Sequence, residues 1–194
     1  MEDLKRFELI LKQDVSEKIT IEEKEGRLEV NCRDCTGVID LDKILLDNFD
    51  NSEFLGDVIF ILNDNMEIIS EYKAVDIKCR DNCQLYINTE HEEEKTVKIT
   101  GRNNNTVKTS KNSIIILENN NEITSGDNCK IIVENDNLIE IIKDFGKICI
   151  NGKVDIVARK NNNIILPLMN NKTNTVIVGE NSNVFTKGCH INFK

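Results

Sequence analysis

The sequence predicts an all-β fold: a right-handed single-stranded β-solenoid (parallel β-helix) with coils of about 16–18 residues and an N-terminal cap. Three observations predict it. First, the 194 residues include 28 Ile and 13 Val beside 27 Asn, with a single proline and no tryptophan. β-Branched side chains favour strands, whereas asparagine tolerates left-handed backbone and marks tight corners. Second, the chain repeats itself. Asn103-Asn104-Asn105-Thr106-Val107 recurs 16 residues on as Asn119-Asn120-Asn121-Glu122-Ile123, and again as Asn135-Asp136-Asn137-Leu138-Ile139. Third, short segments alternate with period two, as in Val97-Lys98-Ile99-Thr100 and Leu85-Tyr86-Ile87-Asn88. That period buries one face of a strand. A repeat this short suits one turn of a solenoid, not a helix-pair repeat or a propeller blade.

Taken in order, residues 1–15 read as the cap, because Leu4 to Leu11 is amphipathic and an uncovered coil would expose its core and its strand edges. Residues 16–100 read as irregular coils. Val30-Asn31-Cys32-Arg33-Asp34-Cys35 and Ile77-Lys78-Cys79-Arg80-Asp81-Asn82-Cys83 share a layout, and Ile59 to Ile69 resembles a further coil. Asp42 to Leu55 breaks the pattern and reads as either a short helix or an irregular loop packed on the stack. Residues 101–194 read as regular Asn-rich coils in which stacked side-chain amides form ladders at the corners. The whole chain, 1–194, is expected to be one domain. Glycine is scarce (nine residues) and no hexapeptide pattern is present, which favours the right-handed form.

The motif Gly101-Arg102-Asn103-Asn104-Asn105-Thr106-Val107, with its echoes, resembles small bacterial β-solenoid repeat domains built on G-x-N-N-x-[IV] corner units. The resemblance spans roughly residues 75–190 and implies the fold, but it carries almost nothing for function.

Charge is uneven. The net charge of -9 divides into 25 acidic against 13 basic side chains in residues 1–100, and 9 against 12 in residues 101–194. All net acidity therefore lies in the N-terminal half, densest around Glu22, Glu23 and Glu25 and around Glu90, Glu92, Glu93 and Glu94. These seven glutamates are the candidate partner-binding residues. Such a surface repels the phosphate backbone, so direct nucleic-acid binding is disfavoured and a basic or nucleic-acid-binding protein partner is expected. The first six residues carry mixed charge and no apolar run, which argues against a secretory signal; the longest apolar runs are too short to span a bilayer. A cytoplasmic location without membrane association is the corresponding expectation.

Catalytic and metal chemistry find little support. Seven cysteines, an odd number, suit reduced thiols. Cys32, Cys35, Cys79 and Cys83 have spacings that would allow a four-thiolate zinc site. The competing reading aligns Cys83 and Cys129 at one repeat position, with Ser113 between them, as small side chains under a corner. The expectation is therefore no metal and no cofactor. His91 lies in a glutamate run and His190 follows Cys189 near the C-terminus, and neither has an evident nucleophile and orienting acid. Asp34 and Asp81, with Arg33 and Arg80, occupy matching places in two Cys-Arg-Asp motifs, as an Arg–Asp ladder or a carboxylate pair. The functional expectation is a non-enzymatic protein-binding scaffold acting through a rigid display surface in its acidic half. Two alternatives stand beside it: a phage- or mobile-element-type inhibitor that mimics nucleic acid to block a nuclease or defence complex, and a structural protein that self-associates end to end.

Overall fold

A computed structural model describes residues 2–49, 56–71, 73–88, 95–110, 112–125, 129–134, 136–141, 155–158, 163–166, 174–178, 183–186 and 191–192. The chain runs α1 (Glu2–Asp14), β1 (Thr20–Lys24), β2 (Arg27–Cys32), β3 (Gly37–Asp40), α2 (Leu41–Asn48), β4 (Val58–Leu62), β5 (Met66–Ser70), β6 (Asp76–Lys78), β7 (Gln84–Ile87), β8 (Val97–Thr100) and β9 (Thr106–Thr109). It continues β10 (Ser113–Leu117), β11 (Glu122–Ser125), β12 (Lys130–Val133), β13 (Leu138–Ile141), β14 (Asp155–Ala158), β15 (Asn163–Leu166), β16 (Asn174–Val178), β17 (Asn183–Thr186) and β18 (Ile191–Asn192). Strands dominate, and from β2 onward they alternate between two sheets. Sheet A has the order β1-β2-β4-β6-β8-β10-β12-β14-β16-β18, and sheet B the order β17-β15-β13-β11-β9-β7-β5-β3. Every pair is parallel except β1–β2, an antiparallel hairpin that ends sheet A. Among the described residues no helix is long and apolar enough to cross a membrane.

The core is two facing columns of apolar side chains. In sheet A, Val30, Phe60, Ile77, Ile99, Ile115 and Ile131 are in register, and all are fully buried. In sheet B the column is Ile39, Ile68, Leu85, Val107, Ile123 and Ile139, again fully buried. Period-two patterning thus supplies one inward residue after another, and burial of each such side chain stabilises by about 1.5–3 kcal/mol. Helix α1 presents Leu4, Phe7 and Leu11 at i, i+3, i+7 spacing; Phe7 and Leu11 are buried and join the same core. Phe7 also meets Phe49 edge-on, with ring centroids 6.3 Å apart. Helix α2 takes up residues 41–48, the first half of the segment whose pattern broke; residues 50–55 of it lie outside the described residues. Asp40 caps it by accepting from the Lys43 amide at 2.9 Å, and Leu41, Ile44 and Leu45 are buried.

From β4 on, the passage from sheet A to sheet B is constant, whereas the return varies; the first passage, Glu29 to Val38, takes nine residues. Eight residues separate corresponding positions at Ile59 to Glu67, Asp76 to Gln84, Lys98 to Thr106, Ile114 to Glu122, Lys130 to Leu138, Asp155 to Asn163 and Thr175 to Asn183. The return takes eight residues from Thr106 to Ile114, but 14 from Gln84 to Lys98 and 17 from Leu138 to Asp155. From Val38 to Ile59 it takes 21, which includes α2. The step between paired strands is 16 residues across β8–β13 and 17 across β4–β7 and β16–β18, within the expected 16–18, whereas insertions at the return corner lengthen it to 30 at β2–β4, 22 at β6–β8 and 25 at β12–β14.

Hydrogen bonding explains the asymmetry. Each described A-to-B corner from β4 on has Asn or Asp in the left-handed region: Asn65, Asn82, Asn104, Asn120 and Asp136, with φ between 55 and 60°. The residue after it forms a buried inner ladder. The Asn105 amide and Nδ2 donate to Asn121 Oδ1 at 2.8 and 3.1 Å, and Asn121 does the same to Asn137 Oδ1 at 2.8 and 2.9 Å. The residue before it forms an outer ladder of opposite direction. Asn119 donates to Asn103 Oδ1, Asn103 to Asp81 Oδ1, and the Asp81 amide to Asp64 Oδ1. With both ladders anchored, this corner has no room for an extra residue without orphaning buried amides. The asparagine ladders read from the sequence are present.

Candidate binding surface

The return corners collect the insertions, and the glutamate run at 90–94 falls in one of them by its place in the sequence. α2 occupies the return from β3 to β4. The run containing Glu90, Glu92, Glu93 and Glu94 connects β7 to β8; these four residues, with His91, lie outside the described residues. The two returns touch: Lys95 Nζ, just after that run, lies 3.2 Å from Asp57 Oδ1, just before β4. The ammonium holds the Asp57 carboxyl below its ordinary range.

Glu22, Glu23 and Glu25 are exposed on the β1–β2 hairpin at the N-terminal end of sheet A. Glu25 and Gly26 form its two-residue turn, both with positive φ (54 and 77°). Lys24 bridges Glu22 at 2.8 Å and Glu29 at 2.9 Å, so part of this acidity is neutralised locally. These contacts raise the Lys24 pKa and lower that of Glu29. Exposed pairs of this kind contribute little stability and leave the hairpin's net charge negative. Beneath them, Arg27 Nη2 meets Asp76 Oδ2 at 2.6 Å, while Asp76 Oδ1 accepts the Lys98 amide at 2.8 Å. This tie links β2, β6 and β8 and makes the hairpin's base rigid.

A cleft of about 370 Å³ opens beside the hairpin's end of the molecule, lined by Asp14 at the end of α1 and Val15 after it, Val38 and Asp40 of β3, and Lys43, Ile44, Asp47 and Asn48 of α2. Val38 is half exposed there. Sequence reading missed this site, although Asp40, just before the amphipathic stretch Leu41–Asn48, was a legible helix cap.

The five described cysteines, Cys32, Cys35, Cys79, Cys83 and Cys129, are buried free thiols. Cys32 and Cys35 adjoin, and Cys79 and Cys83 adjoin, but the pairs are apart. Leu62 of β4 pairs with Cys32 and, by continuation of the β4–β6 register, stands between it and Cys79. Two strand spacings, about 10 Å, then separate Cys32 from Cys79, too far for one metal ion. Among the described residues no group of three or more Cys, His, Asp or Glu is placed to hold a metal. Burial pushes the Cys32 thiol up to about 12. Within the other pair, a hydrogen bond between the thiols lowers Cys83 and raises Cys79. Cys149, Cys189 and His190 lie outside the described residues.

Two sequence alignments need correction. Cys83 does not share a position with Cys129. Cys129 is in line with Ser113 in sheet A, whereas Cys83 is in line with Asn105 and donates its amide to Asn105 Oδ1 at 2.8 Å. Cys83 is thus the first rung of the inner ladder. Nor do Asp34 and Asp81 form a pair, because the β4–β5 coil intervenes and puts Asp64 next to Asp81. The Asp64 and Asp81 carboxylates accept backbone amides, and Arg80 reaches Asn63 Oδ1 at 3.2 Å, so the corner is a hydrogen-bonding ladder without an Arg–Asp alternation. Asp34 itself is exposed.

The chain matches no protein-family model, no curated protein and no solved structure.

Proposed function

We propose that the protein is a right-handed β-solenoid, capped by α1, that binds a basic protein partner and performs no catalysis. Right-handedness follows the strong preference of parallel strand–crossover–strand connections. The observation that carries the binding reading is the concentration of length variation in the return corners, which take from eight to 21 residues against eight or nine at the other corner. In solenoids, insertions of this kind line one edge and commonly form the binding face. The glutamate run at 90–94 falls in one return by sequence and α2 in another, and Lys95–Asp57 brings these two returns together. The hairpin glutamates Glu22, Glu23 and Glu25 extend the acidity at the N-terminal end. A rigid, laddered corner opposite a variable acidic edge is the division of labour expected of a display scaffold.

The test is quantitative capture from a lysate of the encoding cell. Wild type is compared with Glu22→Lys/Glu23→Lys/Glu25→Lys and with reversal of Glu90, Glu92, Glu93 and Glu94. A basic protein retained by wild type and lost with either reversal, and displaced by rising salt, supports the reading. An identical set of captured proteins from all three would refute it. Displacement by heparin or DNA would select the nucleic-acid-mimic version. Concentration-dependent sedimentation of the purified chain would instead favour end-to-end self-assembly.

A further inference from the structure

The two sheets end differently at the N-terminal side. In sheet A the last strand, β1, carries Glu22, Glu23 and Lys24, all exposed. Charges on an edge strand oppose the addition of another strand. In sheet B the last strand is β3, Gly37-Val38-Ile39-Asp40. One of its edges is bonded to β5, and among the described residues no strand pairs with the other. Ile39 points into the core and is fully buried, so Val38 and Asp40 share the outer face. Gly37 and Val38 are exposed and uncharged. Such an edge is a template for a further strand.

The outer face of β3 is also one wall of the 370 Å³ cleft. Three carboxylates line that cleft (Asp14, Asp40 and Asp47) against one ammonium, Lys43. A strand added to β3 would place alternate side chains on the same outer face, next to the cleft. A cationic one would be matched in sign there and an anionic one repelled. We propose that the free edge of β3 docks an extended basic segment of a partner protein as an extra strand, with a lysine or arginine seated among Asp14, Asp40 and Asp47. The inference rests on the protein-binding reading above and names the partner's chemistry: an unpaired, β-competent segment with cationic residues at alternate positions. The backbone supplies the affinity and the cleft selects the charge.

The probe is a fluorescent heptapeptide alternating lysine and valine, titrated into the full chain by anisotropy. Its twin, N-methylated at alternate amides, keeps the charge but loses the strand hydrogen bonds. Expected results are at least tenfold weaker binding of the twin, at least tenfold weaker binding by Asp14→Lys/Asp47→Lys, and slowed amide exchange at Gly37–Asp40 in the complex. Asp14 and Asp47 are exposed, and Asp14→Asn/Asp47→Asn serves as a milder second variant. Equal binding of peptide and twin, binding unmoved by both variants, or protection at β1 in place of β3 overturns the proposal. If the peptide ignores β3 while the hairpin reversal still abolishes partner capture, this inference falls and the proposed function stands. If the purified chain dimerises through β3 and the peptide does not bind, the edge belongs to a second copy and the proposal is again overturned.

Discussion

Replacing Asn121 by alanine tests the ladder that holds the corner. The side chain is almost fully buried. Its Oδ1 accepts from Asn105 N and Nδ2, at 2.8 and 3.1 Å, and its Nδ2 donates to Asn137 Oδ1 and Arg102 O, at 2.9 and 3.0 Å. Alanine removes four hydrogen bonds and orphans the Asn105 amide and a share of the Arg102 carbonyl. At a net value of about 0.5–1.5 kcal/mol for each bond, with losses of neighbouring bonds not fully additive, the cost is about 3–4 kcal/mol. Asn119→Ala, on the half-buried outer ladder, removes the Nδ2 bond to Asn103 Oδ1, which water can replace, keeps the backbone amide bond to the same oxygen, and should cost about 1 kcal/mol. Urea denaturation gives the global figure. Amide exchange gives the local one, since coils contact only their neighbours and the loss should concentrate at Asn105 and Glu122. If Asn121→Ala costs no more than Asn119→Ala, or exchange is unchanged at Asn105, the ladder is not what holds the corner.

Three further outcomes are expected. A Cβ on Gly101 would overlap Cys79 Sγ and approach Leu117 Cδ2 to 3.0 Å; Gly101→Ala should therefore cost about 1–3 kcal/mol, and Cys79→Ala should recover most of it in the double mutant, as read by urea midpoints. Asn120, at φ 55°, should accept glycine with little change and lose about 1–2 kcal/mol as valine, because a β-branched residue is strained there; thermal melts of the two variants check this. The Cys32 thiol ionises near 9 when unfolded but only at about 12 when folded, so its contribution is intact below pH 9 and declines as pH rises toward 12. Cys32→Ala should flatten the fall in urea midpoint between pH 8 and pH 10.5; an equally steep fall in both proteins would show that other groups cause it.

The buried hydroxyls show how far pattern reading reaches. Thr109, Ser113 and Ser125 form a closed triangle in the core, with Oγ separations of 2.9 to 3.1 Å. Each sits at an inward period-two position, so its burial was legible. That three such residues from two sheets converge was not, because their meeting depends on how one sheet faces the other. Cys83 is the same lesson at a corner. Its sequence neighbours suggested equivalence to Cys129, but the register places it under Asn105, since the 14-residue return from Gln84 to Lys98 displaces any fixed-period alignment.

The sequence by itself determined the strand content, the inward columns, the asparagine ladders and the concentration of acidity in the first half. All of these are local: period two sets a strand's face, and left-handed asparagine sets a corner. Only the tertiary structure decided which residues are neighbours across coils. It separated Cys32 and Cys35 from Cys79 and Cys83 by interposing Leu62, split Asp34 from Asp81, and brought Asp57 to Lys95. It also left β3, among the described residues, with one edge that no strand pairs, beside a cleft lined by three carboxylates. The physical reason is that ladder hydrogen bonds clamp one corner at eight residues while the opposite corner accepts insertions freely. Distances along the chain therefore stop predicting distances in space where those insertions begin.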